Sequence, residues 1–168
     1  VRYDNCMVHA GFLASWCSID LQVVDAIDKY MLDPDVDLDG IIIAGHSLGS
    51  AMATLCALDL HRVRPQYKVR LTTFSGPKVG DESLVRELKD LQPMTICHYG
   101  DIIPALPVLS ALARSFYRPC GVVTYYPPKA CTNFISKHKM AGMLETAYAI
   151  DAAMDNTDAN DGKQEDEL

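Results

Sequence analysis

No stretch of this 168-residue chain is apolar for long enough to cross a bilayer, and its first residues lack the pattern of a signal peptide. The chain reads as soluble, cytoplasmic or secreted, with the compartment left open because it begins at Val1 rather than Met. Clustered Lys and Arg are also missing. The formal charge is −7, which disfavours a nucleic-acid partner, since a phosphate backbone is met by basic patches. The six cysteines show neither zinc-ligand spacing nor a Cys-x-x-Cys pair, so no metal or other cofactor is expected. Cys56 and Cys97 fall on apolar segments, where a free thiol behaves as a small hydrophobe. Cys120 and Cys131 bracket a Pro-rich stretch and are the expected disulfide should the protein be secreted. Internal repeats and interior linkers are absent too, so the length is that of one domain able to bury a sizeable core.

The charge that is present is uneven. Residues 155–168, DNTDANDGKQEDEL, hold six acids and one Lys, with Ala159 and Leu168 as the only apolar side chains. This predicts an acidic, disordered tail behind a domain at residues 1–154. Within that domain, residues 12–32 carry Leu13, Trp16, Leu21, Val24, Ile27 and Met31 at helical steps, which predicts one amphipathic helix. Residues 40–46, GIIIAGH, read as a strand buried on both faces. Helix follows over 50–63, strand over 67–76, helix over 81–91 with Asp81 as N-cap, and strand over 94–99. Residues 116–128 read as strand and hairpin, and 137–154 as a last helix. Strand alternating with helix predicts an α/β fold with a mostly parallel sheet flanked by helices, and ligands collect at the carboxyl ends of such strands.

One segment admits two readings. In DPDVDLDG (33–40), Asp35, Asp37, Asp39 and Gly40 match positions 1, 3, 5 and 6 of a calcium loop. Position 12, which needs a bidentate acid, is His46, and strand-like IIIA follows the glycine where a helix would be required. The aspartates are therefore read as solvated turn residues leading into what comes next. That is Gly45-His46-Ser47-Leu48-Gly49, a Gly-x-Ser-x-Gly at a strand-to-helix junction, as a nucleophile elbow requires. On this reading Gly45 and Gly49 remove side chains that would collide across the turn, and the Leu48 N–H faces a developing oxyanion.

A serine needs a base, and the base an orienting carboxylate. His46 adjoins Ser47 and is ill placed to take its proton, so packing is its expected role. His61 lies 14 residues along the same helix, about 21 Å away at about 1.5 Å per residue. His9 precedes the serine and breaks the order Ser, acid, His. His98 is a strand residue and the rival candidate, whereas His138 follows both partners at a loop-to-helix boundary. For the acid, Asp101 directly follows a strand, Asp59 is on a helix and Asp81 is explained as a cap. These grounds select Ser47, Asp101 and His138.

Five segments in order then resemble the class 3, fungal-lipase-like branch of the α/β-hydrolases: VHAGF (8–12), GHSLGSAMATLCALDL (45–60), FSGPKVGD (74–81), HYGDIIPALP (98–107) and KHKMAGML (137–144). The resemblance implies serine-dependent hydrolysis of carboxylic esters, acylglycerols or other lipid esters, through an acyl-enzyme. Ser47 would be nucleophile, Asp101 orienting acid, His138 general base and Leu48 an oxyanion donor. It also implies a lipid or other ester substrate and transient contact with a lipid interface. Ile102, Ile103, Leu106 and Val108 are apolar side chains next to Asp101, fitting for an acyl chain. In the family, a strand ending in an Arg-Gly-Thr-like segment precedes His-x-Gly-Phe and supplies a second oxyanion donor, with the lid nearby. Only seven residues precede Val8 here, so a partial α/β-hydrolase fold without its N-terminal strands is expected, and a catalytically silent binding protein or inactive fragment is the competing reading. Ser75 stands where the family has glycine, and Met143 where an aromatic is common.

Overall fold

The computed structural model describes residues 1–36, 38–107, 117–126 and 138. The expected tail, the last helix apart from His138, Cys131 of the expected disulfide, Asp37, Val108 and Met143 lie outside the described residues.

The chain opens with a small antiparallel hairpin, β1 (Arg2–Tyr3) and β2 (Cys6–Met7), which hydropathy does not reveal because each strand is two residues long. Two helices follow, α1 (Ala10–Cys17) and α2 (Asp20–Met31), where the sequence predicts one. The axes bend by 54° between them. The Ser18 hydroxyl donates to the Ser15 carbonyl at 2.7 Å and Ile19 leaves the helical region at φ −135°, so a local side-chain bond takes over an acceptor that a continuing helix would use. Among the described residues no single helix is long and apolar enough to cross a membrane.

Strand β3 (Ile41–His46) leads into α3 (Leu48–Val63), then β4 (Val69–Phe74), α4 (Glu82–Glu87), β5 (Met94–His98) and β6 (Val122–Tyr126). The Asp81 carboxylate accepts from the Ser83 and Leu84 N–H groups, the expected N-cap of α4. The four strands form one parallel sheet in the order β3-β4-β5-β6. The parallel sheet flanked by helices that the element order predicts is present, and it matches part of the α/β-hydrolase fold that the resemblance implies.

Two strand expectations need correction. Residues 116–128 do not supply a hairpin arm among the described residues: β6 pairs parallel with β5, Met94 opposite Val122. The chain enters β6 through Gly121 at φ 71°, with the Val122 N–H donating to the Pro93 carbonyl at 3.1 Å. A Cβ on Gly121 would overlap that same carbonyl, so this turn requires glycine. The other correction concerns β3, which is covered on one face only. Ile41 and Ile43 pack on the core, while Ile42 is 75% exposed and Ala44 is exposed. The cause is coverage: α3 packs on the face that carries Ile41 and Ile43, and the face that carries Ile42 and Ala44 is left exposed.

Helix α3 is the centre of the core. Ala51, Leu55, Leu58 and Leu60 are fully buried, and the helix packs on β3, β4 and α1. Asp59, a partly buried carboxylate on the same helix, accepts from Tyr3 Oη at 2.7 Å and Trp16 Nε1 at 2.6 Å. Those bonds satisfy the carboxylate and give it a structural task away from the strand ends.

Candidate active site

The register places His46 opposite Phe74 and Phe74 opposite Ile96, so β3 and β4 end level while β5 runs two residues further, and the segments after them share one edge of the sheet. Ser47 is the single residue between β3 and α3, and it sits at φ 55° and ψ −123°. For a residue with a side chain this is strained backbone, and the surroundings must hold it. The Ser47 N–H donates to the Phe74 carbonyl at 3.0 Å, and the Ser50 N–H donates back to the Ser47 carbonyl at 3.0 Å. Buried Ser50 lies 2.6 Å from the Gly45 carbonyl and 3.0 Å from that of Phe74, spanning strand and helix with one hydroxyl.

The glycines divide the work unevenly. A Cβ on Gly45 would overlap the Gly49 carbonyl oxygen and lie 2.8 Å from the Ser50 nitrogen, so strand and helix meet there backbone to backbone. A Cβ on Gly49 meets no described atom within 4 Å, which corrects the expectation that both glycines avoid collisions across the turn. Gly76, in the loop after β4, matters in the same way as Gly45: its Cβ would collide with that of Ser50. Ser75 beside it adopts φ 47°, a conformation in which glycine is the easier residue.

Ser47, His138 and Asp101, separated by up to 91 positions, lie in one line of hydrogen bonds. Asp101 follows β5 at the shared strand edge, and its side chain is fully buried. Its Oδ1 accepts from the Ile103 N–H at 2.9 Å, and Oδ2 is 2.9 Å from His138 Nδ1. A carboxylate only accepts, so Nδ1 carries the proton and Nε2 presents a lone pair. That lone pair is 2.8 Å from Ser47 Oγ, the geometry in which the hydroxyl donates to the imidazole. Leu48 opens α3 directly after Ser47, so its N–H is among the first helical donors without an intrahelical acceptor. The arrangement can pass a proton from serine to imidazole beside a fixed negative charge, which is the requirement for a serine nucleophile.

Among the described residues no other histidine is hydrogen-bonded to Ser47 Oγ. His9 precedes α1, donates its N–H to the Val79 carbonyl at 2.9 Å and stacks on Phe12 with ring centroids 4.4 Å apart. His61 is in the last turn of α3, at the far end of the helix from Ser47. His46 lies against His138, a contact the spacing of residues does not announce. His98 is 1% exposed, and neither ring nitrogen has a hydrogen-bond partner among the described residues. An imidazole buried without partners costs free energy that an apolar side chain of similar size would not. His98→Leu is therefore expected to raise stability to urea by about 1 kcal/mol and leave ester turnover unchanged, whereas His98→Ala lowers stability by opening a cavity. Loss of turnover in folded His98→Leu protein would restore His98 as a candidate base.

A cavity of about 270 Å³ lies under the elbow, lined in part by Ser50, Thr73, Val79, Thr95, Pro104 and Val123. From the segment expected to meet an acyl chain it uses Pro104. Ile102 is half exposed and Ile103 and Leu106 are partly buried beside Asp101, outside this lining. The side chains of β4, β5 and β6 that reach this cavity could not be foreseen, because strand register decides which face each residue shares. Cys120 also lines it.

Burial, aided by the Glu87 carboxylate, pushes the Cys6 thiol up to about 12, and burial does the same to Cys56 and Cys120. Cys97 is raised to about 11 by burial and then by the charge of Asp101. At pH 8 a thiol of pKa 12 is ionised to roughly one part in ten thousand. Of these five described cysteines, Ellman's reagent is thus expected to modify exposed Cys17 in native protein and the others only after denaturation. Fast native reaction at Cys97 would show that the sheet edge is more open than described.

Comparison with known proteins agrees with this architecture. A family model described as "Lipase (class 3)" matches residues 1–111. The secreted mono- and diacylglycerol lipase A of Penicillium cyclopium is 30% identical over 109 residues, covering 64% of this chain and 34% of that protein. The crystal structure of the mono- and diacylglycerol lipase from Aspergillus oryzae superposes with a TM-score of 0.64 at 25% identity, covering 82% of this chain and 49% of the other. A triacylglycerol lipase whose catalytic centre is described as a serine protease triad superposes with a TM-score of 0.63 at 27% identity, over 74% of this chain and 48% of that one. The chain thus spans about a third of the length of that curated relative.

Proposed function

This chain belongs to the class 3 lipase family, and on that premise we propose that it hydrolyses carboxylic esters of the acylglycerol class through Ser47, His138 and Asp101. What carries the reading is the pair of contacts at 2.8 Å and 2.9 Å that joins the three side chains at the carboxyl edge of a parallel sheet. Ser47 Oγ attacks the ester carbonyl while His138 Nε2 takes its proton. The imidazolium that results is held by the buried Asp101 carboxylate, and the tetrahedral oxyanion is met by the Leu48 N–H. His138 returns the proton to the departing alcohol, which leaves Ser47 acylated. Water attacks the acyl-enzyme, giving up its proton to His138, and the carboxylic acid departs as Ser47 regains its hydrogen.

The substrate class rests on the relatives, two of which are named for monoacyl- and diacylglycerols. Exposed Leu48 and Ile102 beside Ser47 and Asp101 support contact with a lipid surface during turnover. The test is release of fatty acid from monoacyl- and diacylglycerol by the purified protein, with its Ser47→Ala variant as control. Release by the wild type alone is expected. Acylglycerol binding without any release would instead describe a catalytically silent member of the family.

A further inference from the structure

His46 ends β3 and is the residue immediately before Ser47. Its ring lies against that of His138, with centroids 4.8 Å apart and planes tilted by 33°. Its Nε2 is 2.7 Å from the His138 main-chain carbonyl oxygen. A carbonyl only accepts, so Nε2 carries a proton and donates. The side chain of one residue thus grips the backbone of the other.

The two bonds already described hold the His138 ring through its nitrogens. One of the two does not persist through the proposed reaction: the Ser47 contact is made and broken with each proton transfer, and the Asp101 contact alone allows the ring to swing about Nδ1. What sets where the ring swings from is the main chain of residue 138. His46 fixes it from the strand that also presents the nucleophile, so one short stretch, His46-Ser47, sets the distance between Ser47 Oγ and the imidazole at both ends. We propose that His46 is a positioning residue for His138, acting through the Nε2–H to carbonyl bond. The inference rests on the reading of His138 as general base. It assigns the His46 ring the further effect of covering one face of the imidazole.

Simple packing makes a different demand, because an aromatic or aliphatic side chain would fill the same space. Two substitutions separate the donor from the ring. His46→Phe keeps the ring and removes the donor, whereas His46→Gln removes the ring and keeps an N–H donor at similar reach. With the clamp released, His46→Phe is expected to lose about 10- to 100-fold in kcat with KM within about twofold, since small misplacements of a catalytic group have effects of that size. His46→Gln is expected to stay within about fivefold of wild type. Melting curves establish that each variant is folded, and His46→Leu replaces His46→Phe if the latter does not fold.

A second readout is independent of turnover. The Nδ1–H proton of His138, assigned in the NMR spectrum by its disappearance in His138→Ala, should exchange with water at least tenfold faster in His46→Phe than in wild type or His46→Gln. Wild-type exchange in folded His46→Phe, or kcat within twofold of wild type, would overturn the proposal. Because the exchange measurement needs no substrate, a wild-type protein that hydrolyses no ester would count against the proposed function alone.

Discussion

Ser47→Ala is expected to lower ester turnover by about four to six orders of magnitude while the protein stays folded. The hydroxyl contributes no packing to the core, and alanine meets the same backbone strain at φ 55° as serine does. What is lost is the atom that, in the proposed reaction, bonds to the acyl group. His138→Ala is expected to lose nearly as much, because no other described imidazole reaches Ser47 Oγ. Asp101→Asn should cost about 10⁴ in kcat, since an amide can turn its NH₂ toward Nδ1 and stabilise the wrong tautomer. Combined substitutions should cost little more than the worst single one, as the three groups serve one proton transfer. Rates from purified variants on a soluble ester, with melting curves as the folding control, check each of these. Additive losses in the double variant would show that the residues act separately.

The second large effect is on stability. Gly45→Ala is expected to destabilise the domain by about 4 kcal/mol or more, at the severe end of single substitutions, or to prevent folding. Its Cβ would overlap main-chain atoms of Gly49, and no rotamer change relieves a clash between backbones. Relief would require separating β3 from α3, which breaks the Ser50 contacts at 2.6 Å and 3.0 Å that brace the turn. Gly49→Ala offers the contrast. The added methyl group enters open space among the described residues, and alanine is the better helix former by about 1 kcal/mol. Urea unfolding should therefore find Gly49→Ala no less stable than wild type. If the two substitutions cost the same, the elbow is not held together by close approach at Gly45.

Much of this arrangement was legible in the sequence where one local cause decides the outcome. Asp81 caps α4 because its own carboxylate meets the N–H groups two and three residues on, an interaction contained in a few residues. Helix α3 and strands β3, β4 and β5 announce themselves by apolar runs bounded by glycine and proline. Chain order and the strand-end rule singled out Ser47, Asp101 and His138, and those three side chains do lie within hydrogen-bond distance; their chemical roles are the proposal. Features set by distant partners were not legible. Isoleucines 41 to 43 read alike, yet Ile42 is exposed because nothing described covers the face of β3 that carries it. The bend after α1 depends on one serine hydroxyl turning back to Ser15, and the periodicity of residues 12–32 continues through it. The parallel pairing of β6 depends on where Gly121 crosses Pro93. The hold of His46 on the His138 carbonyl joins residues 92 positions apart through a main-chain atom, which no side-chain pattern records.

An activated Ser47 should be labelled covalently by a fluorophosphonate. Such a reagent phosphonylates a serine whose proton a neighbouring base removes, and it does so without any assumption about the natural ester. Intact mass after incubation, followed by tryptic mapping and fragmentation, should show one adduct, on the peptide spanning residues 30–62 and at Ser47 rather than Ser50, which lies in the same peptide. Prior substitution of Ser47 or His138 by alanine should abolish it. Folded wild-type protein that takes up no label, or that carries it at another serine, would show that Ser47 is not the activated nucleophile.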